Sequence, residues 1–215
     1  MRLSRVLGRL IGAGTRDMRH HSNMQRIAST VLTLVGAPPG EELRALAASL
    51  GAAANVRAVL PDADDASLER AITAWGEAAR AHIPYVVHDA DPLAEVAKAW
   101  IERWEGSGEV GQLEVAVQAV LQRWRARSLE LPDYYLLIDA EGLSTTARHW
   151  YLGILAGTAR HRVVLAESDP GEAARTIRGL RAGPWWPQLD ALLADLDRRL
   201  PDAPDLGPPP PGQVL

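Results

Sequence analysis

The sequence predicts an α/β protein, a three-layer Rossmann-like sandwich whose five-stranded, mostly parallel sheet has helices on both faces. Three observations lead there. Five short runs of branched or aromatic residues alternate with stretches that repeat apolar residues at helical spacing. The 215 residues are 47% hydrophobic and 23% charged, enough to fill a core. The connection between the third and fourth runs is long enough for two helices, which suits a chain crossing back over its sheet and suggests strand order 3-2-1-4-5.

The chain starts with a basic arm. Residues 1–26 hold Arg2, Arg5, Arg9, Arg16, Arg19 and Arg26 against Asp17, a net charge of +5, whereas residues 27–215 carry −9. Leu3, Val6, Leu7, Leu10 and Ile11 form one stripe of an amphipathic helix that Gly12 and Gly14 end. Such an arm suits packing on the acidic body, a nucleic acid or an anionic membrane surface. An arginine-rich, acid-poor start is also the pattern of a mitochondrial presequence. The apolar stretch behind the arginines is too short and interrupted for a secretory signal, and none approaches the roughly 20 residues of a membrane span. A cytoplasmic protein is expected.

One α/β domain over 27–200 follows. Its strands are expected at Thr30–Val35, Val56–Leu60, Tyr85–His88, Tyr134–Ile138 and Arg162–Leu165. Its helices are expected at Glu41–Leu50, Ala66–Ala81, Leu93–Trp104, Leu113–Leu129, Thr145–Ala156, Gly171–Arg181 and Pro187–Leu200. Residues 201–215 include six prolines and little to bury, the composition of an extended or disordered tail.

Two absences prune the chemistry. The chain has no cysteine, which removes disulfides, thiolate nucleophiles and cysteine-held metals. Its one lysine, Lys98, lies inside a helical stripe, where a surface lysine with a buried stem is the ordinary outcome. No Gly-x-Ser-x-Gly elbow is present. His20 and His21 fall in the basic arm and are expected to face solvent, His82 ends a helix where a donor suits the dipole, and His149 and His161 lack ligand-spaced partners.

The turn Gly36-Ala37-Pro38-Pro39-Gly40-Glu41-Glu42 stands where a nucleotide-binding fold cradles phosphate. Prolines have no N–H to offer, the Gly-Lys-Ser/Thr ending is missing, and two glutamates repel an anion. Gly36 and Gly40, with Asp62 as the ribose-binding acid after the second strand, make a weak dinucleotide signature.

Acids follow every later strand: Asp62, Asp64 and Asp65; Asp89 and Asp91; Asp139 and Glu141; Glu167 and Asp169. In a parallel sheet these ends share one rim. Two readings result. Asp89, Asp139 and Glu141 could hold a magnesium ion, with His88 as an acid–base partner. Alternatively the acids cap helices, as Asp91-Pro92 and Asp169-Pro170 suggest, with Asp65 and Ser144 as further caps.

The run Tyr134–Arg181, an apolar strand ending in acids, then a helix and a second strand with a polar end, is similar to part of the clamp-loader branch of AAA+ ATPases. The resemblance implies Asp139 and Glu141 in the region of the Walker-B acids and Ser168 in that of the sensor.

Seven tryptophans and no phenylalanine mark the chain. Trp75, Trp100 and Trp104 sit on apolar helix faces. Trp185 and Trp186 share a Gly-Pro-rich loop and either mark a partner surface or staple the last helix.

The expected function is a non-catalytic binding or assembly module. Its attachment element is the arm, through Arg2, Arg5, Arg9, Arg16 and Arg19, with Trp185 and Trp186 as further contacts. Its partner is a protein, itself included, a nucleic acid or an anionic surface. The competing expectations are a magnesium-dependent nucleotide-binding or phosphoryl-processing protein using the acidic rim, and a nucleic-acid-binding accessory protein.

Overall fold

The computed structural model describes residues 29–180, 186–194 and 196–199. The arm, Trp185 and the proline-rich end lie outside the described residues. Five parallel strands form one sheet: β1 (Thr30–Gly36), β2 (Val56–Val59), β3 (Tyr85–His88), β4 (Tyr134–Ile138) and β5 (Val163–Ala166). The helices are α1 (Gly40–Leu50), α2 (Ser67–Ala78), α3 (Ala94–Glu105), α4 (Gln112–Arg125), α5 (Thr145–His149), α6 (Ala156–Thr158), α7 (Pro170–Gly179) and α8 (Leu189–Leu193).

Alternation along the strands divides the core. Leu32, Leu34, Val87, Leu136 and Ile138 face α1 and α7. Val31, Val35, Val86, Tyr135 and Leu137 face the thicker layer of α2, α3, α4, α8 and the segment after α5. Period-two alternation of apolar residues on both faces is what a sheet covered on both sides requires.

The strand order is β2-β3-β1-β4-β5, which corrects the expected 3-2-1-4-5. β3 inserts between β1 and β2. Its Val86 and Val87 are fully buried, whereas β2 carries the exposed Arg57, which pairs with Glu77 at 3.5 Å. A charge in the middle of a four-residue strand suits a sheet edge. The long α3–α4 connection does cross the sheet, but over β1 alone.

Two helices depart from regularity. The expected helix Thr145–Ala156 is wound as a π-helix over Trp150–Leu155. His149 stacks on Trp100 (6.0 Å between centroids, 16° between planes), and its ring covers Gly153, where a Cβ would lie 2.4 Å from the imidazole. The expected helix Pro187–Leu200 instead leaves α-geometry at Ala194 and resumes as a 3₁₀ turn over Leu196–Arg198. The Leu196 carbonyl there accepts a hydrogen bond from the Trp100 indole at 3.1 Å.

Candidate functional site

The carboxyl ends of the parallel strands form one rim, and its centre is the turn between β1 and α1. Gly36 (φ +151°) passes so close to β4 that a Cβ there would lie 1.9 Å from the Ile138 carbonyl oxygen. The Ala37 amide donates to that same oxygen at 3.2 Å. Pro38 and Pro39 have no N–H, and the amides of Glu42 and Leu43 donate back to the Pro39 carbonyl. Ala37 also abuts Gly142, where a Cβ would come within 2.8 Å of its own. The amides of Gly40 and Glu41 open the helix, whose first turn carries the acids Glu41 and Glu42. An anion would meet repulsion there in place of a cradle.

Asp62 does not join this turn. β3 separates β2 from β1, so Asp62 lies two strand spacings away, about 10 Å across the sheet. It is exposed and its carboxylate accepts the Asp64 amide at 3.1 Å.

Asp89 is drawn inward. Its side chain is 4% exposed, with the Arg70 guanidinium at 2.6 Å and that of Arg44 at 3.3 Å. Arg44 also donates to the carbonyls of Leu60 (3.0 Å) and Pro61 (2.7 Å), tying α1 to the end of β2. Two cations already neutralise this carboxylate. Asp139 and Glu141 are exposed at the end of β4, beyond β1 from Asp89. Asp139 adopts a left-handed conformation (φ 47°) and accepts the Gly142 amide at 3.3 Å. The structure therefore does not bring Asp89 together with Asp139 and Glu141. Among the described residues, no three His, Asp or Glu side chains converge as a metal site.

Capping accounts for some of the rim. Asp169 caps α7 through the Glu172 amide at 2.9 Å, and Ser144 caps α5 through the Ala147 amide at 3.2 Å. Asp65 is no cap, because the residue preceding α2 is Ala66, which makes no side-chain cap bond. Asp91 accepts the Leu93 amide at 2.8 Å, but Leu93 stands between it and α3.

Behind the rim lie two buried titratable groups. His88 is 4% exposed, with the Thr33 hydroxyl at 3.2 Å and the Ala90 amide at 3.3 Å from its ring nitrogens. Burial lowers its pKa to about 4, against an opposing pull from Asp89, and so holds the ring neutral near pH 7. Asp91 accepts the Tyr135 hydroxyl at 3.1 Å. Burial raises its pKa to about 6 despite hydrogen bonds from the Leu93 amide, Tyr135 and Tyr151.

These shifts act on stability with opposite signs. The unfolded chain takes up the His88 proton first, so that contribution is lost as the pH falls from 6.5 to about 4. Folded Asp91 binds its proton first, so stability rises as the pH falls through about 6 towards 3.8. Glu130, raised to about 7 by burial, acts alike in wild type and variant. Asp91→Asn is therefore expected to lose stability relative to wild type by about 1.4 kcal/mol per pH unit between pH 6 and 4. Urea denaturation across that range reads the difference, and parallel pH profiles would contradict it.

Two concavities open near the rim. One of about 260 Å³ lies between α2, α3 and α4, lined by Leu68, Pro92, Val115, Ala119 and the acids Asp91 and Glu95. The other, about 590 Å³, is an open crevice at the ends of β4 and β5 lined by Asp139, Glu167, Ser168, Asp169 and Glu172. Of the expected partner contacts, Trp186 is 9% exposed, donates its indole N–H to the Pro132 carbonyl at 2.8 Å and meets Tyr135 edge-on at 5.8 Å. It is buried against the start of β4 and not presented as an exposed surface. Arg2, Arg5, Arg9, Arg16, Arg19 and Trp185 lie outside the described residues.

Sequence reading missed the arginines that hold Asp89. Both occupy the opening turns of helices that leave the rim, Arg44 in α1 and Arg70 in α2. For Arg70 a basic residue early in the helix after an acid-ended strand was the available signal; Arg44 follows β1, which has no such acids, and carried none. No protein-family model matches the chain, and no curated protein matches it.

Proposed function

We propose that the chain is a non-catalytic α/β binding or assembly module, attached to a partner through its arginine-rich N-terminal segment. The observation that carries this reading is the filled turn after β1. Its Ala37 amide is spent on Ile138, two prolines follow, and glutamates occupy the helix start. The arm's charge of +5 favours an anionic partner surface, whether protein, nucleic acid or membrane.

A second reading draws on the crevice with Asp139, Glu167, Asp169 and Glu172, which could take a hydrated magnesium ion with a phosphate ligand. Thermal melting of the full chain with magnesium alone and with magnesium nucleotides separates the two. Ligand at about 100 times its Kd adds roughly 2.7 kcal/mol, a rise of several degrees for a domain of this size. The module reading expects no rise. A rise abolished by Asp139→Asn would replace it with the second. Removing residues 1–14 is expected to weaken association with DNA, anionic vesicles or a protein partner at least tenfold. Unchanged binding to all three would refute the attachment role.

A further inference from the structure

β5 is an edge strand, and its free side is fixed by its bonds to β4. The Tyr135 amide donates to the Arg162 carbonyl at 2.7 Å, and Tyr135 stands in register with Val163. In a parallel ladder alternate residues bond to the same neighbour. The Arg162 carbonyl and the backbone groups of Val164 and Ala166 therefore turn to β4, while those of Val163 and Leu165 turn outward; the Arg162 amide closes the preceding turn on the Ala159 carbonyl at 2.9 Å. Among the described residues no strand pairs with that side.

The edge is short, at four residues, but lacks two of the devices that usually blunt one. Val163–Ala166 contains no charge and no proline, and Leu165 is 60% exposed. The opposite edge has Arg57 and its ion pair with Glu77. The flanks of β5 are charged in opposite senses: exposed Arg160 and His161 precede it, and exposed Glu167 and Asp169 follow it.

We infer that β5 is a self-association edge, pairing antiparallel with β5 of a second copy about a two-fold axis at Val164. In that register Val163 faces the second copy's Leu165, and each such pair exchanges two main-chain hydrogen bonds. The turn that carries the exposed Arg160 and His161 then comes to the same end of the ladder as the second copy's exposed Glu167 and Asp169. The contact is the same patch used twice, as a two-fold interface requires. Parallel pairing would set like charges side by side at both ends, which disfavours it. Two five-stranded sheets become one of ten strands. This interface is independent of the arm and goes beyond the proposed attachment role.

Sedimentation velocity of the full chain from about 1 to 100 µM tests it. The expected result is a concentration-dependent shift from 23.3 kDa towards twice that mass. Leu165→Lys is expected to weaken association at least tenfold with an unchanged melting temperature. His161→Glu sets an acid against Glu167 and should weaken it similarly, and the swap His161→Glu with Glu167→Lys should restore it. The Val163 and Leu165 amides should exchange more slowly with deuterium as concentration rises, an observation that needs no variant. A chain lacking residues 1–14 should dimerise as the full chain does, which separates this outcome from failure of the attachment role. A wild type that stays monomeric at 100 µM overturns the inference. So does a dimer in which neither His161→Glu nor the amide exchange of β5 responds.

Discussion

Arg162→Ala is expected to destabilise the protein by about 3–5 kcal/mol, the usual cost of breaking a buried ion pair from one side. Arg162 is 2% exposed, donates to the Asp133 carbonyl at 2.8 Å and lies 3.5 Å from its carboxylate. Its guanidinium covers the Tyr134 ring at 5.0 Å. Asp133 in turn accepts the Val31 amide at 2.9 Å, so one arginine links the starts of β1, β4 and β5. Truncation leaves the Asp133 carboxylate buried without this cation. Arg162→Lys should recover only part of the loss, because an ammonium supplies neither the planar fork nor the stacking. Arg162→Met combined with Asp133→Asn should cost less than Arg162→Ala, since no buried charge is then left over. Urea denaturation of the four proteins measures this, and an Arg162→Ala variant within about 1 kcal/mol of wild type would show the pair to be dispensable.

Trp100→Ala is expected to cost about 3–5 kcal/mol, as full truncation of a buried tryptophan does. Trp100 is fully buried and stands between Trp104 (6.3 Å), Trp150 (5.8 Å) and His149 (6.0 Å). Its indole also holds the Leu196 carbonyl. The loss should therefore spread beyond α3, with faster hydrogen exchange in the π-helical turn and at Arg199, whose amide donates to the same Leu196 carbonyl. Trp100→Phe keeps much of the packing and loses that hydrogen bond, so it should free Leu196 while costing clearly less in global stability. If exchange at Arg199 is unchanged in both variants, the indole bond does not anchor the C-terminal turn.

The fold was largely readable because period-two apolar runs are a local signal. Tyr85–His88 and Tyr134–Ile138 are strands with the expected bounds, and the alternating faces of β1 and β4 divide the core as the pattern implies. The neighbour relation of β2 and β3 was not local. It follows from which strand tolerates an exposed side, and Arg57 is the residue that shows it. The π-helical turn was hidden for a different reason. Thr145–Ala156 has an ordinary helical period, and the departure arises where His149 settles between Trp100 and Gly153, a meeting of residues about fifty positions apart.

The candidate site divides in the same way. Parallel strands brought the acids to one rim, as their positions in the sequence imply. Which acids face water depends on partners distant in the chain. Asp89 is claimed by Arg44 and Arg70, and Asp91 by Tyr135, whereas Asp139 and Glu141 stay outside. The two adjacent tryptophans also gave no hint of orientation, since Trp186 is placed by the Pro132 carbonyl and the Tyr135 ring.

The crowding of Gly36 against Ile138, and of Ala37 against Gly142, bears on engineering. Exchanging Pro38 and Pro39 for residues with amides would supply donors but no volume in which to lodge a ligand. Building a grip for phosphate at this seam would take inserted backbone, long enough to arch over the end of β4, and only then a choice of side chains.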